Sequence, residues 1–343
     1  MAILTGSLPM IPATAGNRRG SGAQENAPSV VALGGGHGLS ASLSALRLLT
    51  SELTAVVTVA DDGGSSGTLR HELGVLPPGD LRMALAALCD DTDWGRTWRD
   101  VMQHRFTSRE GVQGSLDNHA LGNLLIVTLW ELLGDPVAGL QWAGALLGAR
   151  GRVLPMASVP LTIEGDVLTE TGGQLKLHTV SGQAKLALAG SLGNVSNVRL
   201  LPEGAPACVD ALTAIELADW VILGPGSWYT SVLPHLLLPE LRDALCSTTA
   251  RRCLTMNLTN ETKETQGMTA VDHLAVIRRY APDFRVDVVL ADPTVVGDRR
   301  EFAAAVAEMG GRAVLGKVGS STGGPVHDAL RLATAYHDMF GEI

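Results

Sequence analysis

Glycines and acids occur in this chain at positions where they could bind a phosphate and a ribose or metal ion. The first such stretch runs from Gly34 to Ser40 and reads Gly-Gly-Gly-His-Gly-Leu-Ser, directly after an apolar segment. Glycine lets the backbone approach a ligand closely, and the helix that follows offers unpaired N–H groups at its start. We therefore expect an anion site, most often a phosphate site, formed by Gly34, Gly35, Gly36, His37, Gly38 and Ser40. The alternative is a glycine turn that packing alone requires.

Two adjacent carboxylates follow the second apolar segment. Asp61 and Asp62 come directly after residues 54–60, which are rich in β-branched side chains, and are followed by Gly63, Gly64, Ser65 and Ser66. In a dinucleotide-binding fold, an acid about 20 residues past the glycine turn holds a ribose hydroxyl. We expect these six residues to contact the ligand and assign Asp61 and Asp62 to ribose or to a metal ion. An acidic helix cap and turn is the alternative, but two acids, two glycines and two serines exceed what a turn requires.

A third loop of the same kind follows the buried apolar residues 221–223. It contributes the candidate residues Gly224, Gly226, Ser227, Tyr229, Thr230 and Ser231. Ligands of open parallel sheets bind beyond the carboxyl ends of the strands. We therefore expect the loops at about 34–40, 61–67 and 224–231 to meet over one edge of a single sheet.

Polar residues also crowd the start of an apolar helix predicted over 120–133. A helix of this kind needs one cap, whereas Asn118, His119 and Asn123 all lie near its beginning. A ligand role and a capping role both remain open for them. Between residues 91 and 111, Trp94 and Trp98 recur at helical spacing, which is typical of core residues, so we assign this segment no chemistry.

The pattern along the chain predicts an α/β fold with a Rossmann-like, doubly wound, mostly parallel sheet and a small antiparallel β insertion. Strands at 30–34 and 54–60 flank a helix at 39–50, a loop spans 61–80, and Asp80 caps a helix over 80–90. Alternating residues between about 153 and 198 indicate the insertion. Residues 1–28 are predicted to be a disordered or loosely held tail, and 29–343 a single domain. The later elements are predicted as helices at 207–218, 270–280 and 325–339 and strands at 221–223, 252–257, 286–291 and, at the sheet edge, 313–318.

Composition excludes several classes of function. The net charge of −9 and the lack of a basic stripe argue against nucleic acid as a partner. No apolar run reaches the length of a membrane span. The four cysteines, Cys89, Cys208, Cys246 and Cys253, lack the spacing of a zinc site and fit reduced thiols in a cytoplasmic protein.

Taken together, the motifs resemble one family. They are Gly34-Gly-Gly-x-Gly-Leu-Ser40, Val57-Thr-Val-Ala-Asp-Asp-Gly-Gly-Ser-Ser-Gly67, Leu76-Pro-Pro-Gly-Asp80, Leu121-Gly-Asn123, Leu223-Gly-Pro-Gly-Ser-x-Tyr-Thr-Ser231 and Thr269-Ala-x-Asp-His273. This set looks like the gluconeogenesis factor family, the YvcK-like branch of a superfamily that also contains 2-phospho-L-lactate transferase. The resemblance covers residues 29 to about 292. One position differs, because His37 stands where the family usually has Thr.

The resemblance implies a cytoplasmic regulator that binds a nucleotide sugar such as UDP-N-acetylglucosamine and links carbon metabolism to cell shape and wall synthesis. A small-molecule nucleotide would then be the ligand, NAD an alternative to it, and Mg²⁺ a companion ion. We also expect a homo-oligomer, for instance a dimer. The rival hypothesis is a Mg²⁺-dependent transferase that acts on a nucleotide-activated donor, as the phospholactate enzymes do. A dehydrogenase is the weakest hypothesis, since no catalytic His/acid pair stands out.

Overall fold

A seven-stranded, fully parallel sheet forms the centre of the computed structural model, which describes residues 27–112, 114–171, 174–189, 194–260, 264–321 and 324–341. The predicted N-terminal tail falls almost entirely on residues 1–26, which lie outside this set. The strands of the sheet are β1 Val30–Gly34, β2 Leu53–Val57, β3 Arg152–Pro155, β7 Trp220–Leu223, β8 Arg251–Thr255, β9 Val288–Ala291 and β10 Arg312–Leu315. Their spatial order is β10-β9-β8-β7-β1-β2-β3.

Helices connect these strands. They are α1 Gly36–Leu46, α2 Gly64–Leu73, α3 Gly79–Leu88, α4 Asp93–Gln103, α5 Leu121–Leu133, α6 Pro136–Leu147, α7 Gln183–Ala189, α8 Val209–Glu216, α9 Pro234–Leu237, α10 Pro239–Ser247, α11 Ala270–Tyr280, α12 Arg299–Glu308 and α13 Ala329–Gly341. A single π-helical turn, Trp228–Val232, follows β7. Among the residues that the structure describes, no helix is long and apolar enough to cross a bilayer.

The strand order fixes where a ligand can bind. Strand β1 pairs with β2 on one side and with β7 on the other, both in parallel register, so that Val30 lies opposite Leu53 and Trp220. Every residue of β1, β2 and β7 is buried, as expected for strands whose two faces are both covered. After β3 the chain crosses to the far side of β1. This reversal of strand order is the topological switch point at which doubly wound folds bind their ligands.

The antiparallel insertion is confirmed, with different boundaries. It consists of β4 Thr162–Thr171, β5 Gln174–Ser181 and β6 Asn194–Leu201, in the order β5-β4-β6. The apolar residues from Val153 belong to β3 in the parallel sheet, and at its other end the insertion extends past residue 198 to Leu201. Short apolar runs of this kind do not reveal which sheet they join.

Three local predictions near the site were wrong. The stretch 61–80 is not a loop throughout, because α2 occupies Gly64–Leu73; its glycines and serines are weak helix formers, which hid it. Helix α1 starts within the glycine run, at Gly36 and not at residue 39. Asp80 does not cap its own helix either, since the N-cap of α3 is Pro78.

A buried hydroxyl chain ties the last helix to the loop after β7. The Tyr336 hydroxyl of α13 lies 2.9 Å from Ser42 Oγ on α1 and 2.9 Å from Thr255 Oγ1 on β8. Ser42 Oγ also donates to the carbonyl of Gly224 at 3.0 Å. The end of the chain thereby fixes a loop at the switch point.

Candidate functional site

The three loops predicted to converge do so, at the carboxyl ends of β1, β2 and β7. A Cβ atom placed on Gly226 would lie 3.3 Å from Ser231 Cβ and 3.8 Å from the carbonyl oxygen of Gly35. On the other side, a Cβ on Gly35 would lie 2.5 Å from Asp80 Oδ2 and 2.5 Å from the Thr58 methyl group. The turn after β1 is thus held between the β2 side and the β7 side.

Close backbone approach explains the glycines of the first turn. A side chain at Gly38 would collide with the carbonyl group of Pro225. Gly36 has a φ of +55°, a conformation that other residues adopt only with strain. The neighbouring backbone constrains Gly38 and its own conformation constrains Gly36, so both glycines are explained before any ligand is considered.

Two helices begin at the site with a glycine as the N-cap residue. The N-cap residues of α1 and α2 are Gly35 and Gly63, and neither provides a side-chain hydrogen bond. The π-helical turn after β7 differs, because the carboxyl group of Glu264 accepts the N–H groups of its first residues, Trp228 and Tyr229. First-turn N–H groups and the positive end of the helix dipole attract anions. The convergence of these helix starts makes this edge of the sheet suitable for a phosphate group.

A cleft of about 430 Å³ opens beside these helix starts. It is lined by residues from the β2 loop, α3, the segment after α4 and the start of α5: Asp61, Gly63, Gly64, Ser65, Ser66, Gly79, Asp80, Arg82, Met83, Arg105, Asn118 and Asn123. Its volume is within the usual range for small-molecule sites, and most of its lining is polar.

The two adjacent acids point in different directions. Asp61 lines the cleft, and its Oδ1 accepts the N–H of Gly63 at 3.0 Å. Burial raises its pKa, while hydrogen bonds from Gly63 and Ser66 act in the opposite sense. Asp62 is exposed, and its Oδ1 accepts the N–H of Ala184 on α7 at 3.1 Å. Asp62 therefore holds the antiparallel insertion, and only Asp61 faces the cleft.

Asp80 is the second acid of the cleft. Its carboxyl group accepts the N–H of Gly36, so α3 caps α1 from outside. Burial and the nearby charge of Asp61 raise the pKa of Asp80 to about 7. Two carboxyl groups of raised pKa in one cleft favour a ligand, proton or cation that relieves their charge.

Two arginines balance these acids. Arg82 is almost completely buried, and its Nε donates to Asn123 Oδ1 at 2.9 Å while its Nη1 donates to Gln103. Burial, followed by repulsion from Arg105, lowers the pKa of Arg82 to about 10. Arg105 is exposed at the rim and donates to the carbonyl of Asn118 at 2.8 Å. Both guanidinium groups line the cleft, where they can bind phosphate oxygens.

The residues around the start of α5 divide between structural and exposed positions. Asn123 is buried, donating 3.0 Å to Ser65 Oγ and accepting from Arg82. His119 Nδ1 lies 3.2 Å from the same serine oxygen. Asn118 is exposed at the cleft rim with a φ of +60°. Asn123 and His119 thus position Ser65 and Arg82, and Asn118 is the member of the group best placed to meet a ligand.

Much of the polar capacity of the β7 loop is used internally. Ser227 donates to the buried Glu264, and Thr230 donates to Ser227 at 2.7 Å. Asn257, after β8, accepts the N–H of Gly226 and donates to its carbonyl, both at 2.8 Å. Burial raises the pKa of Glu264. These contacts fix the Gly226 backbone beside the glycine turn.

Tyr229 and Ser40 were also predicted ligand contacts, and the structure gives both other partners. The Tyr229 hydroxyl is directed at the Met268 sulfur, 3.9 Å away, and burial raises its pKa to about 12. Ser40 Oγ donates back to the carbonyl of Gly36 at 2.9 Å. His37, by contrast, is exposed at the start of α1.

Sequence reasoning missed Asp80, Arg82, Arg105, Asn257 and Glu264. Asp80 stood in a recognised motif but was interpreted as a local cap. Arg82 interrupts the apolar run of α3. A charged residue at a helix position that is expected to be buried is unusual, and this was the signal that could have identified it. Arg105, Asn257 and Glu264 carried no local signal, because their relation to the cleft depends on contacts between distant segments.

Within the described part of the chain, no group of three or more His, Cys, Asp or Glu side chains could hold a metal ion. The carboxyl groups that share the cleft are Asp61 and Asp80, and not Asp61 and Asp62. Mg²⁺ is commonly bound by one or two carboxylates together with substrate phosphates. Asp61 and Asp80 fit that requirement in the presence of a phosphate ligand.

The fold and the loops define a doubly wound α/β protein with a candidate anion site at its switch point. Residues 30–309 match the family model described as 2-phospho-L-lactate transferase CofD. Two mycobacterial relatives carry the words gluconeogenesis factor in their names. The protein of Mycobacterium tuberculosis is 52% identical over 79% of this chain and 78% of its own length. The protein of Mycobacterium leprae is 48% identical over 91% of this chain and 83% of its own length. The chain therefore belongs to the CofD family, in the branch of the gluconeogenesis factors.

A solved structure supports the same assignment. The crystal structure of a UPF0052 family member from Bacillus halodurans superposes with a TM-score of 0.78 at 32% identity, covering 90% of this chain and 98% of that one. The gluconeogenesis factor of Halalkalibacterium halodurans is 37% identical over 79% of both chains.

Proposed function

We propose that this protein is a cytoplasmic regulator that binds a nucleotide diphosphate sugar, of which UDP-N-acetylglucosamine is the representative, and couples carbon supply to cell shape and wall synthesis. The observation that carries the ligand class is the convergence of the starts of α1 and α2, whose N-cap residues are glycines, with the buried Arg82 at the switch point. A diphosphate matches this combination of backbone N–H groups and guanidinium donors. The names of the relatives support the regulatory role.

The arrangement gives each part of the ligand a partner. The diphosphate lies against the starts of α1 and α2, within reach of the exposed His37 and of the Arg82 guanidinium group. Asp61 accepts hydrogen bonds from hydroxyl groups of a ribose or sugar, because its remaining acceptor capacity faces the cleft. Asp80 lies beside the position of the phosphate. When the diphosphate is bound, Asp80 is neutral or paired with a cation, because a carboxylate and a phosphate side by side repel each other.

The alternative function is a transferase, and one observation favours it specifically. Asp61 and Asp80 line the same cleft, where their carboxyl groups would hold a Mg²⁺ ion together with a phosphate ligand. Mg²⁺ would stabilise charge that develops on the phosphate oxygens. In that case Arg82 would orient the donor and Asp61 and Asp80 would hold the ion. NAD is a further candidate ligand, because the strand order is that of dinucleotide-binding folds.

Blocking the cleft tests the ligand hypothesis. Gly36 is unsuitable because its positive φ makes any side chain strained. Gly63 has a φ of −99°, and a Cβ atom there would have as its nearest neighbour Asp61 Oδ1 at 3.5 Å. Gly63→Val should therefore leave the fold intact and fill the cleft, weakening binding of UDP-N-acetylglucosamine by roughly 100-fold in isothermal titration. Gly297→Val is the matched control, because a Cβ at Gly297 meets nothing within 4 Å and the residue is exposed elsewhere.

Incubation with Mg²⁺ then separates the regulator from the transferase. The regulator should be protected against thermal unfolding by the UDP-sugar and should leave it chemically intact by mass spectrometry. Cleavage or transfer of the nucleotide donor, lost in Asp61→Asn and Asp80→Asn, would establish the enzyme instead. Unchanged affinity in a folded Gly63→Val variant would remove the cleft from both hypotheses.

A further inference from the structure

The edge strand of the antiparallel insertion leaves half of its backbone groups unpaired. Strand β5 lies at the edge of the sheet β5-β4-β6, so that β4 is its one neighbour among the described strands. The N–H of Gly182 donates to the carbonyl of Ile163 at 2.8 Å, and the same register holds along the whole pair of strands. Because paired and unpaired positions alternate along an antiparallel ladder, the N–H and C=O groups of Leu175, Leu177 and Thr179 point away from β4. An open row of backbone groups can accept a further strand.

The side chains of β5 differ between its two faces. Leu175 and Leu177 lie on one face, where Leu177 is directly opposite Leu168 of β4. Leu175 is 68% exposed, Leu177 62% and Leu168 38%. Lys176 and His178 alternate with these leucines, so they lie on the other face, and both are exposed. One side of the free edge is therefore apolar and the other side is basic.

The charge of this region is opposite to that of the whole chain. The net charge of the chain is −9, whereas residues 171–198 contain two lysines and no Asp or Glu. Two acids of β4, Glu164 and Asp166, are paired with Arg199 at 2.9 and 3.4 Å, and Glu170 lies on the face of the leucines. The basic face of β5 thus keeps its charge, and a local positive potential attracts an acidic partner.

These features distinguish among the possible occupants of the edge. A second copy of β5 in antiparallel pairing would set one basic face beside the other, and like charges opposite each other destabilise a sheet. A lipid surface would bring the open backbone groups into a medium where nothing pairs with them, and Lys176 points to the side opposite the leucines. A strand with apolar side chains on one face and carboxylates on the other matches the backbone groups, the leucines and the basic side chains together.

We propose that β5 binds an extended segment of a partner protein as an additional strand, and that this segment alternates apolar and acidic residues. Its main chain pairs with the free N–H and C=O groups of Leu175, Leu177 and Thr179. Its apolar side chains pack beside the exposed leucines, and its carboxylates lie beside Lys176 and His178. In strand addition, the main chain provides affinity and alternate side chains provide specificity. This docking surface belongs to the insertion and does not depend on which ligand the cleft binds.

The probe for this surface is a fluorescently labelled synthetic peptide that alternates valine and glutamate and has eight residues, the length of β5. Fluorescence anisotropy with the full chain measures its affinity. The wild-type chain should bind this acidic peptide about tenfold more tightly than a peptide in which lysine replaces each glutamate. Equal affinity for the two peptides, or no binding of the acidic peptide at roughly 1 mM, would overturn the proposal.

Two variants test the backbone and the charge separately. Leu177→Pro removes an N–H that points outward and no hydrogen bond to β4, so the insertion should stay folded while affinity falls about tenfold. Leu177→Ala keeps that N–H and is the control, with a smaller loss. Lys176→Glu should also weaken binding about tenfold. Lys317→Glu makes the same change in net charge at another exposed position and should leave affinity unchanged.

Far-UV circular dichroism and the melting temperature should show that all four variants are folded. Binding of the acidic peptide that survives both Leu177→Pro and Lys176→Glu would place the peptide elsewhere and overturn the proposal. Sedimentation of the chain with phosphatidylglycerol vesicles, lost in Leu175→Ser, would assign the leucines to a lipid surface and overturn it as well.

Discussion

Asp166 on the antiparallel insertion accepts hydrogen bonds from several side chains of the protein, whereas Asp61 and Asp80 in the cleft accept fewer. Asp166 accepts from Thr179 at 2.9 Å, from Asn197 at 3.1 Å and from Arg199 at 3.4 Å, and these bonds, that of Asn197 first, lower its pKa. The pKa values of Asp61 and Asp80 are raised, primarily by burial.

Asp292, after β9, extends the comparison to a buried acid. It accepts from the N–H groups of Thr294, Val318 and Gly319 and from the Thr294 hydroxyl, at 2.8 to 3.2 Å. Burial alone would raise the pKa of Asp292, but these donors together lower it. An acid that the protein itself saturates is structural, whereas an acid with spare acceptor capacity in a cleft can serve a ligand.

The largest effect expected from this comparison is on stability. Asp292→Ala should cost about 3 kcal/mol in the free energy of unfolding, because it leaves the buried N–H of Val318 and the part-buried N–H groups of Thr294 and Gly319 without an acceptor. Urea denaturation measures this loss. Asp166→Ala should cost clearly less than Asp292→Ala, since the donors of Asp166 can turn to water. Equal losses at the two positions would show that donor count does not separate the structural acids.

A smaller effect on stability, of opposite sign, is expected from the replacement of Asp80. Its pKa is about 7 in the folded protein against 3.8 for the ordinary group, so between pH 4 and 7 the folded state binds a proton that the unfolded state has released. Stability therefore falls as pH rises through this window and stays lower above it. Asp80→Asn should remove that dependence and stabilise the ligand-free protein by about 1 kcal/mol at pH 8, a value reduced by solvent screening in the open cleft.

Urea unfolding at pH 4.5 and pH 8 provides the measurement for Asp80. At the lower pH the variant and the wild-type chain should be nearly equal in stability. A wild-type chain that gains stability across this range, relative to the variant, would contradict a raised pKa at Asp80.

The smallest effect distinguishes the two adjacent acids. Asp61→Asn should weaken binding of UDP-N-acetylglucosamine about tenfold, the scale of one charge-assisted hydrogen bond. Asp62→Asn should leave affinity within about twofold and cost roughly 0.5 kcal/mol of stability, because Asp62 caps the start of α7. Isothermal titration of both variants decides the matter, and a larger loss of affinity in Asp62→Asn would reverse the assignment.

What the sequence predicted depended on how local each signal was. The turn after β1 and the loop after β7 are each a strand, a glycine run and a helical start in sequence, and the rule that ligands bind at carboxyl strand ends placed them together. The Asp61 loop was found in the same way. Helix α2 was missed because glycine and serine at its start are poor helix formers.

The remaining errors arose from distant contacts. Asp80 caps α1 through Gly36, which lies 44 residues earlier, and no local pattern reveals this. Trp94 was predicted as a core residue but is 58% exposed, because helical spacing does not show which face of a helix the neighbouring helices leave uncovered. The direction of Asp62 depended on α7, more than 100 residues later.

The pairing of β1 with β7 has a consequence for the synthesis of this protein. Val30 and Trp220 are neighbours in the sheet although 190 residues separate them, and Tyr336 closes the hydroxyl chain to Ser42. During synthesis, β1 and the glycine turn leave the ribosome early, and β1 has no β7 to pair with while most of the chain is translated. The nascent chain therefore carries an unpaired edge on its central strand for much of its synthesis. At a translation rate of 5–20 residues per second, this interval lasts roughly 10 to 40 seconds. Chaperones that cover exposed strands would act during it.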